Sequence, residues 1–229
     1  MAENLHVGQL TVSLTRKKIK SLRLRVERDG NVQASAPLHM SKADIERFVR
    51  VKMDWIEAQR ARLSKALRLD NGGYRTSGQV LIFGKRYPLV ITQGGQNHVY
   101  FDGDRLFVQG KPHLTDAQFD RLIESWQRTQ LKAEIEPLMK IWTSCMGVTV
   151  SGWNVKKMKT RWGSCNTAKQ FIWLNFKLCQ TPRACLQAIL VHELTHLLIP
   201  NHSKMFYQQL DSFFPDWKTA RQLLDCYLL

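Results

Sequence analysis

The chain has 229 residues, 44% of them apolar and 23% charged, which suits one large domain or two small ones and is long enough to build a core without disulfide staples. Seven Trp and ten Phe exclude a disordered chain. Thirty-four Lys and Arg against nineteen Asp and Glu give a formal net charge of +15, a field that gathers anions such as nucleic acid, nucleotides or acidic proteins.

Residues 10 to 36 read as strands. Leu10, Val12 and Leu14 alternate with polar residues, as do Leu22, Leu24 and Val26, and Val32, Ala34 and Ala36 resume the pattern after the hairpin signal Asp29-Gly30. The polar positions include Arg16, Lys17, Lys18, Lys20, Arg23, Arg25 and Arg28, so one face is expected as a positive stripe. This basic N-terminal stripe is the candidate contact for nucleic acid; a solvated face with no partner is the plain alternative. Ser41, with Asp44 at the capping-box position, opens a helix in which Ile45, Phe48, Val49, Trp55, Ile56 and Leu63 recur at helical spacing to about Leu67. Asn71-Gly72-Gly73 then breaks the chain.

Antiparallel strands are expected over 79 to 109, turning at Gly84-Lys85 and Asp102-Gly103-Asp104, with a linker over Gly110 to His113. Thr115 and Gln118 start a second long helix to about Met146, which Pro137 should kink or split. Val148 to Met158 and Phe171 to Phe176 read as strands. Pro182 to Leu198 reads as a helix, followed by terminal helices on either side of Pro215. No internal repeat shows at periods of 20 to 50 residues.

The five cysteines, Cys145, Cys165, Cys179, Cys185 and Cys226, contain no C-x-x-C pair, which argues against a disulfide framework and a four-cysteine metal site. No charged start leads into an apolar core, so no signal peptide is expected. No run approaches the ~18 apolar residues of a membrane-spanning helix. A reducing, cytoplasmic compartment is the expectation.

The chemistry is concentrated in Val191 to His202, which reads V-H-E-L-T-H-L-L-I-P-N-H. On a helix His192 and His196 lie one above the other and can share one ion. Glu193, one residue round, sits beside that ion as the candidate catalytic base for a bound water. Pro200 disfavours helical geometry at Ile199 and turns the chain, which makes His202 the third candidate ligand. A catalytic zinc wants three protein ligands and an open position. A chance H-E-x-x-H in this composition has odds on the order of one in a hundred, and a further His at this spacing lowers them about thirtyfold. The helix is apolar nearly all round, so two imidazoles and a carboxyl are carried inward, where a cation compensates them. Metzincins carry Gly where this chain has Ile199, and the chain does not join them.

The T-R-W-G-S-C segment, Thr160 to Cys165, offers Arg161 and Ser164 as substrate-binding candidates, with Gly163 marking a tight turn or a close backbone approach. A structural loop in which Trp162 packs under the helix is the alternative. Together with Leu174-Asn175, His192 to His196, Asn201-His202-Ser203, Pro215 to Lys218 and Phe83 to Tyr87, this segment resembles the YgjP-like family of metal-dependent hydrolases over nearly the whole chain. Thr195 departs from the Cys expected there and lies between the ligands. The resemblance implies a zincin-like peptidase core, distantly similar to SprT-like proteases, some of which act on DNA-bound proteins.

The expected fold is therefore α+β: N-terminal antiparallel strands with a long helix over residues 1–113, then a zincin-like helical part over 114–229 carrying the H-E-x-x-H helix. The expected activity is that of a zinc metallopeptidase, with one Zn2+ per chain on His192, His196 and His202 and Glu193 activating its water; another divalent cation is the alternative metal. A nucleoside triphosphate pyrophosphatase with the same metal, and a DNA-associated protein with a metal site, are the competing functions. Peptide or nucleotide substrates are the expected partners.

Overall fold

Alternating apolar residues set the first sheet in the computed structural model, which describes residues 2–27, 29–65, 67–68 and 73–228. The chain divides into two units, residues 1–67 and 68–229. In the first, β1 (Ala2–Val7), β2 (Leu10–Lys17), β3 (Arg23–Val26) and β4 (Val32–Pro37) form a sheet of order β1-β2-β4-β3. The outer pairs are antiparallel hairpins, but the central strands run parallel, with Val12 opposite Val32. This corrects the purely antiparallel expectation. Val32, Ala34 and Ala36 are all buried, whereas Leu24 and Val26 are half-buried, so the strand with the fully apolar face takes the centre and β3 takes the edge. Strand β1 escaped the sequence reading because only Leu5 and Val7 carry its buried face.

The Asp29-Gly30 hairpin forms as expected. Gly30 has φ +85°, and Asn31 N–H donates to Asp29 Oδ1 at 2.9 Å. Ser41 caps α1 (Lys42–Val51), accepting from Asp44 N–H at 3.1 Å. The short Asp44 side chain accepts from the Ser41 hydroxyl at 2.6 Å. The single helix expected to Leu67 is instead two, because Lys52 leaves helical geometry (φ −98°, ψ 10°) before α2 (Met53–Lys65), and Leu67–Arg68 is extended as β5. Ile45, Val49 and Ile56 face the core, while Trp55 is 41% exposed. Lys17, Lys18, Lys20, Arg23 and Arg25 are exposed. Arg28 of the expected stripe, and Asn71-Gly72 of the expected break, lie outside the described residues.

The second unit opens with α3 (Tyr74–Ser77), β6 (Gln79–Ile82), β7 (Lys85–Gln93), β8 (His98–Phe101) and β9 (Leu106–Gly110), in the order β6-β7-β9-β8. Again two antiparallel hairpins join through parallel central strands. Each unit thus contains two hairpins followed by a capped helix. Buried Val32 and Leu106, Ala34 and Val108, the caps Ser41 and Thr115, and buried Ile45 and Phe119 stand at one constant sequence separation. That separation exceeds the 20 to 50 residues over which no repeat was found.

Helix α4 (Asp116–Met146) carries the complete Thr115–Gln118 capping box and continues through Pro137. The helix is not split there, and Ile135 and Met139, on either side of the proline, are anchored in a core. Phe119 and Ile123 pack with β6 and β9 instead. The expected domain boundary near residue 113 thus falls between β9 and α4, inside the second unit. Strands β10 (Gly152–Lys156), β11 (Gly163–Asn166) and β12 (Phe171–Asn175) form a sheet of order β10-β12-β11, with β10 parallel and β11 antiparallel to β12. A 3-10 turn (Phe176–Gln180), α5 (Arg183–Leu198), α6 (Lys204–Phe213), α7 (Trp217–Asp225) and β13 (Tyr227–Leu228) complete the mixed α+β architecture. Among the described residues no helix is long and apolar enough to cross a membrane, and all five cysteines are free.

Candidate metal centre

Helix α5 is buried on almost every side, with Leu186, Leu190 and Leu194 on one flank and Cys185 and Ile189 on another. His192 and His196 project from this helix one turn apart. The helix ends as the Pro200 rule requires: Ile199 is extended (φ −136°, ψ 103°), and its N–H closes the last bond to Thr195 O at 2.9 Å. His202 directly precedes Ser203, which caps α6 by accepting from Phe206 N–H at 3.3 Å. The cap fixes the chain where His202 returns toward α5. Nε2 of His202 lies 3.0 Å from Nε2 of His192, and the candidate ligand atoms of the three histidines all lie within 4.8 Å of one another. The buried Phe206 ring supports all three imidazoles, its centroid 5.0, 4.7 and 4.9 Å from those of His192, His196 and His202.

The donor set fits a cation. Two nitrogens at zinc bonding distance in a tetrahedron are about 3.4 Å apart, close to the His192–His202 separation. Burial, then the neighbouring imidazoles of His196 and His202, push His192 down to about 4. Burial, then His202, also lowers His196, against the opposing pull of the Ile199 and Pro200 carbonyls. Both rings are thereby held in the neutral form that ligates metals. Among the described residues the buried Nδ1 of His196 has no partner at full hydrogen-bond geometry.

Glu193 is 6% exposed and lines the same cavity, of about 580 Å³, as the three histidines. Burial pushes its carboxyl up to about 8, while the Arg161 charge and the Cys165 backbone N–H draw it back. Gly163 makes the close approach anticipated for it. A Cβ at that position would sit 2.6 Å from Glu193 Oε1 and 2.7 Å from Cγ. The segment expected as a loop becomes strand β11 from Gly163 onward, and Gly163, Ser164 and Cys165 form one wall of the cavity with Arg161. Trp162 lines the cavity and also packs against the core, so the segment has a structural role. Burial, then Glu193, pushes the Cys165 thiol up to about 11, which keeps it protonated and a poor nucleophile at neutral pH. In the basic edge leading to this wall, Lys157 pairs with Glu124 at 2.6 Å and Lys156 lies over the Trp173 ring at 4.3 Å.

Two residues were given no role at the site by the sequence, although Asn175 belongs to the Leu174-Asn175 pair that carries the resemblance. Asn175 is fully buried at the end of β12. Its Nδ2 donates to Met158 O at 2.9 Å and Arg161 O at 2.7 Å, while its Oδ1 accepts from Lys177 N–H at 3.1 Å. It thereby pins the segment that carries Arg161 and Gly163. Arg221 of α7 reaches the cavity from the other side. In sequence it reads as an ordinary charge, one turn before Asp225, on the polar face of an amphipathic helix.

The family model for the YgjP-like metallopeptidase domain matches residues 20–227. No curated protein matches the chain. The match and the three-histidine cluster together support metal-dependent hydrolysis. On a match that covers most of the first unit, nearly all of the second and every residue of the cavity, the chain belongs to the YgjP-like metallopeptidase family.

Proposed function

We propose that the protein is a zinc metallopeptidase in which His192, His196 and His202 hold the ion, Glu193 is the general base, and α5 with β11 forms a zincin-like site. The observation that carries this reading is the opening of three clustered imidazoles and one buried carboxyl onto a single cavity. Neutral imidazoles favour zinc over magnesium or calcium, which prefer oxygen ligands. Bound zinc supplies Lewis acidity toward the attacked carbonyl and lowers the pKa of a coordinated water toward ~7. Glu193, raised by burial and drawn back by the Arg161 charge and the Cys165 N–H, would be drawn further toward its ionised form by a neighbouring cation, the form that takes a proton and returns it to the leaving amine. Arg161 and Ser164, on the facing wall, are positioned to hold substrate polar groups.

A specific observation favours peptides over nucleotides. The strand order leaves β11 at the sheet edge while its residues line the cavity, so an extended peptide backbone can pair with it as an added strand. The exposed cations of the first unit, Lys17 to Arg25, are proposed as a nucleic-acid contact that brings the peptidase to its substrates.

The test combines metal analysis with cleavage assays. Purified wild type is expected to hold one zinc and cleave casein or unstructured peptides. Glu193→Gln is expected to keep the zinc and lose activity by ~10²–10⁴-fold. Nucleoside triphosphates are assayed in parallel. Phosphate or pyrophosphate release lost in Glu193→Gln, without peptide cleavage, would transfer the chemistry to phosphoanhydrides, and full peptidase activity in that variant would overturn the assigned base.

A further inference from the structure

Beside the histidine cluster lies a second cavity, of about 320 Å³, between α5, α6 and α7. Ile189, His192, His202 and Arg221 border both cavities, so the two spaces adjoin at the candidate metal centre. We propose that this second cavity is a substrate subsite. It takes an apolar side chain, and Arg221 at its mouth binds a carboxylate carried next to that side chain. The location of the bond to be cut rests on the metallopeptidase reading; the binding itself does not.

The walls define the chemistry. Apart from the shared border, the lining is Ala188, Tyr207, Leu210, Trp217 and Leu224. The Tyr207 and Trp217 rings are stacked, with centroids 5.6 Å apart and planes at 22°. Trp217 is held in place, since its Nε1–H donates to Asp211 Oδ1 at 2.7 Å and Lys218 pairs with the same carboxylate at 3.1 Å. The apolar wall is therefore built before a ligand arrives, which spares the cost of ordering it. A volume near the lower end of small-ligand sites suits a single aromatic or aliphatic side chain. Tyr207 is 39% exposed, so the space opens to solvent rather than being a void sealed in the core.

Arg221 is the one side chain with a permanent charge in this lining. Its ion pair with Asp225 spans 3.8 Å between two exposed groups, too long for a hydrogen bond. A guanidinium placed so can receive a carboxylate through two parallel N–H donors. Among the described residues no acidic side chain borders the second cavity, and Glu193 is the sole carboxyl of the first. The charge of the mouth thus selects an anion, while the walls select an apolar group. A peptide C-terminal residue with an aromatic or branched side chain offers both. So does an apolar residue that follows an acidic one.

Calorimetric titration of the full-length metal-free protein at pH 8 tests this, since no bound ion then competes for the carboxylate. N-acetylphenylalanine is expected to bind, and its amide at least tenfold more weakly. N-acetyl-aspartyl-phenylalanine amide separates the two carboxylate sources: binding restored with it assigns an acidic side chain, and binding still weak assigns the chain terminus. Arg221→Ala should weaken the acid at least tenfold and leave the amide unchanged, with Arg221→Lys recovering part of the loss. Ala188→Leu, which narrows the cavity, should weaken acid and amide together while the melting temperature stays near that of wild type. The proposal is overturned if wild type binds neither compound, if acid and amide bind alike, or if Arg221→Ala binds the acid as tightly as wild type. Binding without any peptidase activity would sink the enzymatic reading alone, and peptidase activity without this binding would sink the subsite alone.

Discussion

At Gly163 the absence of a side chain decides how closely β11 approaches the carboxyl of Glu193. Any Cβ there would meet Oε1 at 2.6 Å, Cγ at 2.7 Å and Cδ at 2.9 Å, so the carboxyl or the strand has to move. Glu193 is nearly enclosed and has little room to yield. Gly163→Ala is therefore expected to cost about 1–3 kcal/mol of stability, the usual range for overpacking. It should also lower kcat at least tenfold with zinc content unchanged. Urea unfolding, metal analysis and steady-state kinetics on one preparation check this, and wild-type kcat in the variant would show that the close approach has no catalytic role. The glycine was legible in sequence as a close approach, because such contacts are one of few reasons for Gly beside a strand. Its partner was not, since nothing in T-R-W-G-S-C points to a carboxyl on a distant helix.

Among elements, α5 was the most readable and the segment facing it the least. The histidine spacing, the apolar flanks and Pro200 describe α5 from sequence alone, because helix periodicity and proline geometry are local effects. Asn175 shows the opposite case. Its value lies in carbonyls many residues earlier, at Met158 and Arg161, and a strand-end Asn looks the same whether or not it reaches them. Asn175→Leu would leave those half-buried acceptors without this donor, at up to about 1–3 kcal/mol each. The expected result is a clear loss of stability and of kcat, with zinc retained because the three histidines sit on other elements. A variant that matched wild type in both would remove Asn175 as the pin of this segment. The turn between α5 and α6 carries a further expectation. Zinc at 100 times its Kd should add about 2.7 kcal/mol, which for a chain of this size raises Tm by roughly 5–10 °C. Chelation should remove this gain, and His202→Ala should abolish it; a chelator-insensitive Tm in zinc-saturated wild type would exclude the proposed ion site.

On the scale of the whole molecule, the two units pose a comparison that charge alone does not. Each has two hairpins joined through parallel strands and followed by a capped helix, an arrangement invisible to hydrophobic patterning because strand alternation reads the same in parallel and antiparallel pairs. In the first unit the segment from the end of β2 into β3 carries Arg16, Lys17, Lys18, Lys20, Arg23 and Arg25. In the second, the corresponding segment from Val90 to Val99 has no Lys, Arg, Asp or Glu. The topology therefore forms without these charges. Arg16 does serve the fold, donating to Met40 O at 2.6 Å. The other five are exposed; Arg25 pairs with Glu27 at 3.4 Å, and all five are open to a partner outside the sheet. If the attraction is to a phosphate backbone, affinity for a DNA duplex should fall with log salt at a slope up to about −4 to −5, the value for five neutralised phosphates. Replacing Lys18, Arg23 and Arg25 with Glu should weaken binding at least tenfold and flatten that slope, while cleavage of a short uncharged peptide in the second unit stays at the wild-type rate. Fluorescence anisotropy at several salt concentrations reads both quantities. An unchanged slope in the triple variant would mean that the surplus cations of this sheet make no contact with nucleic acid.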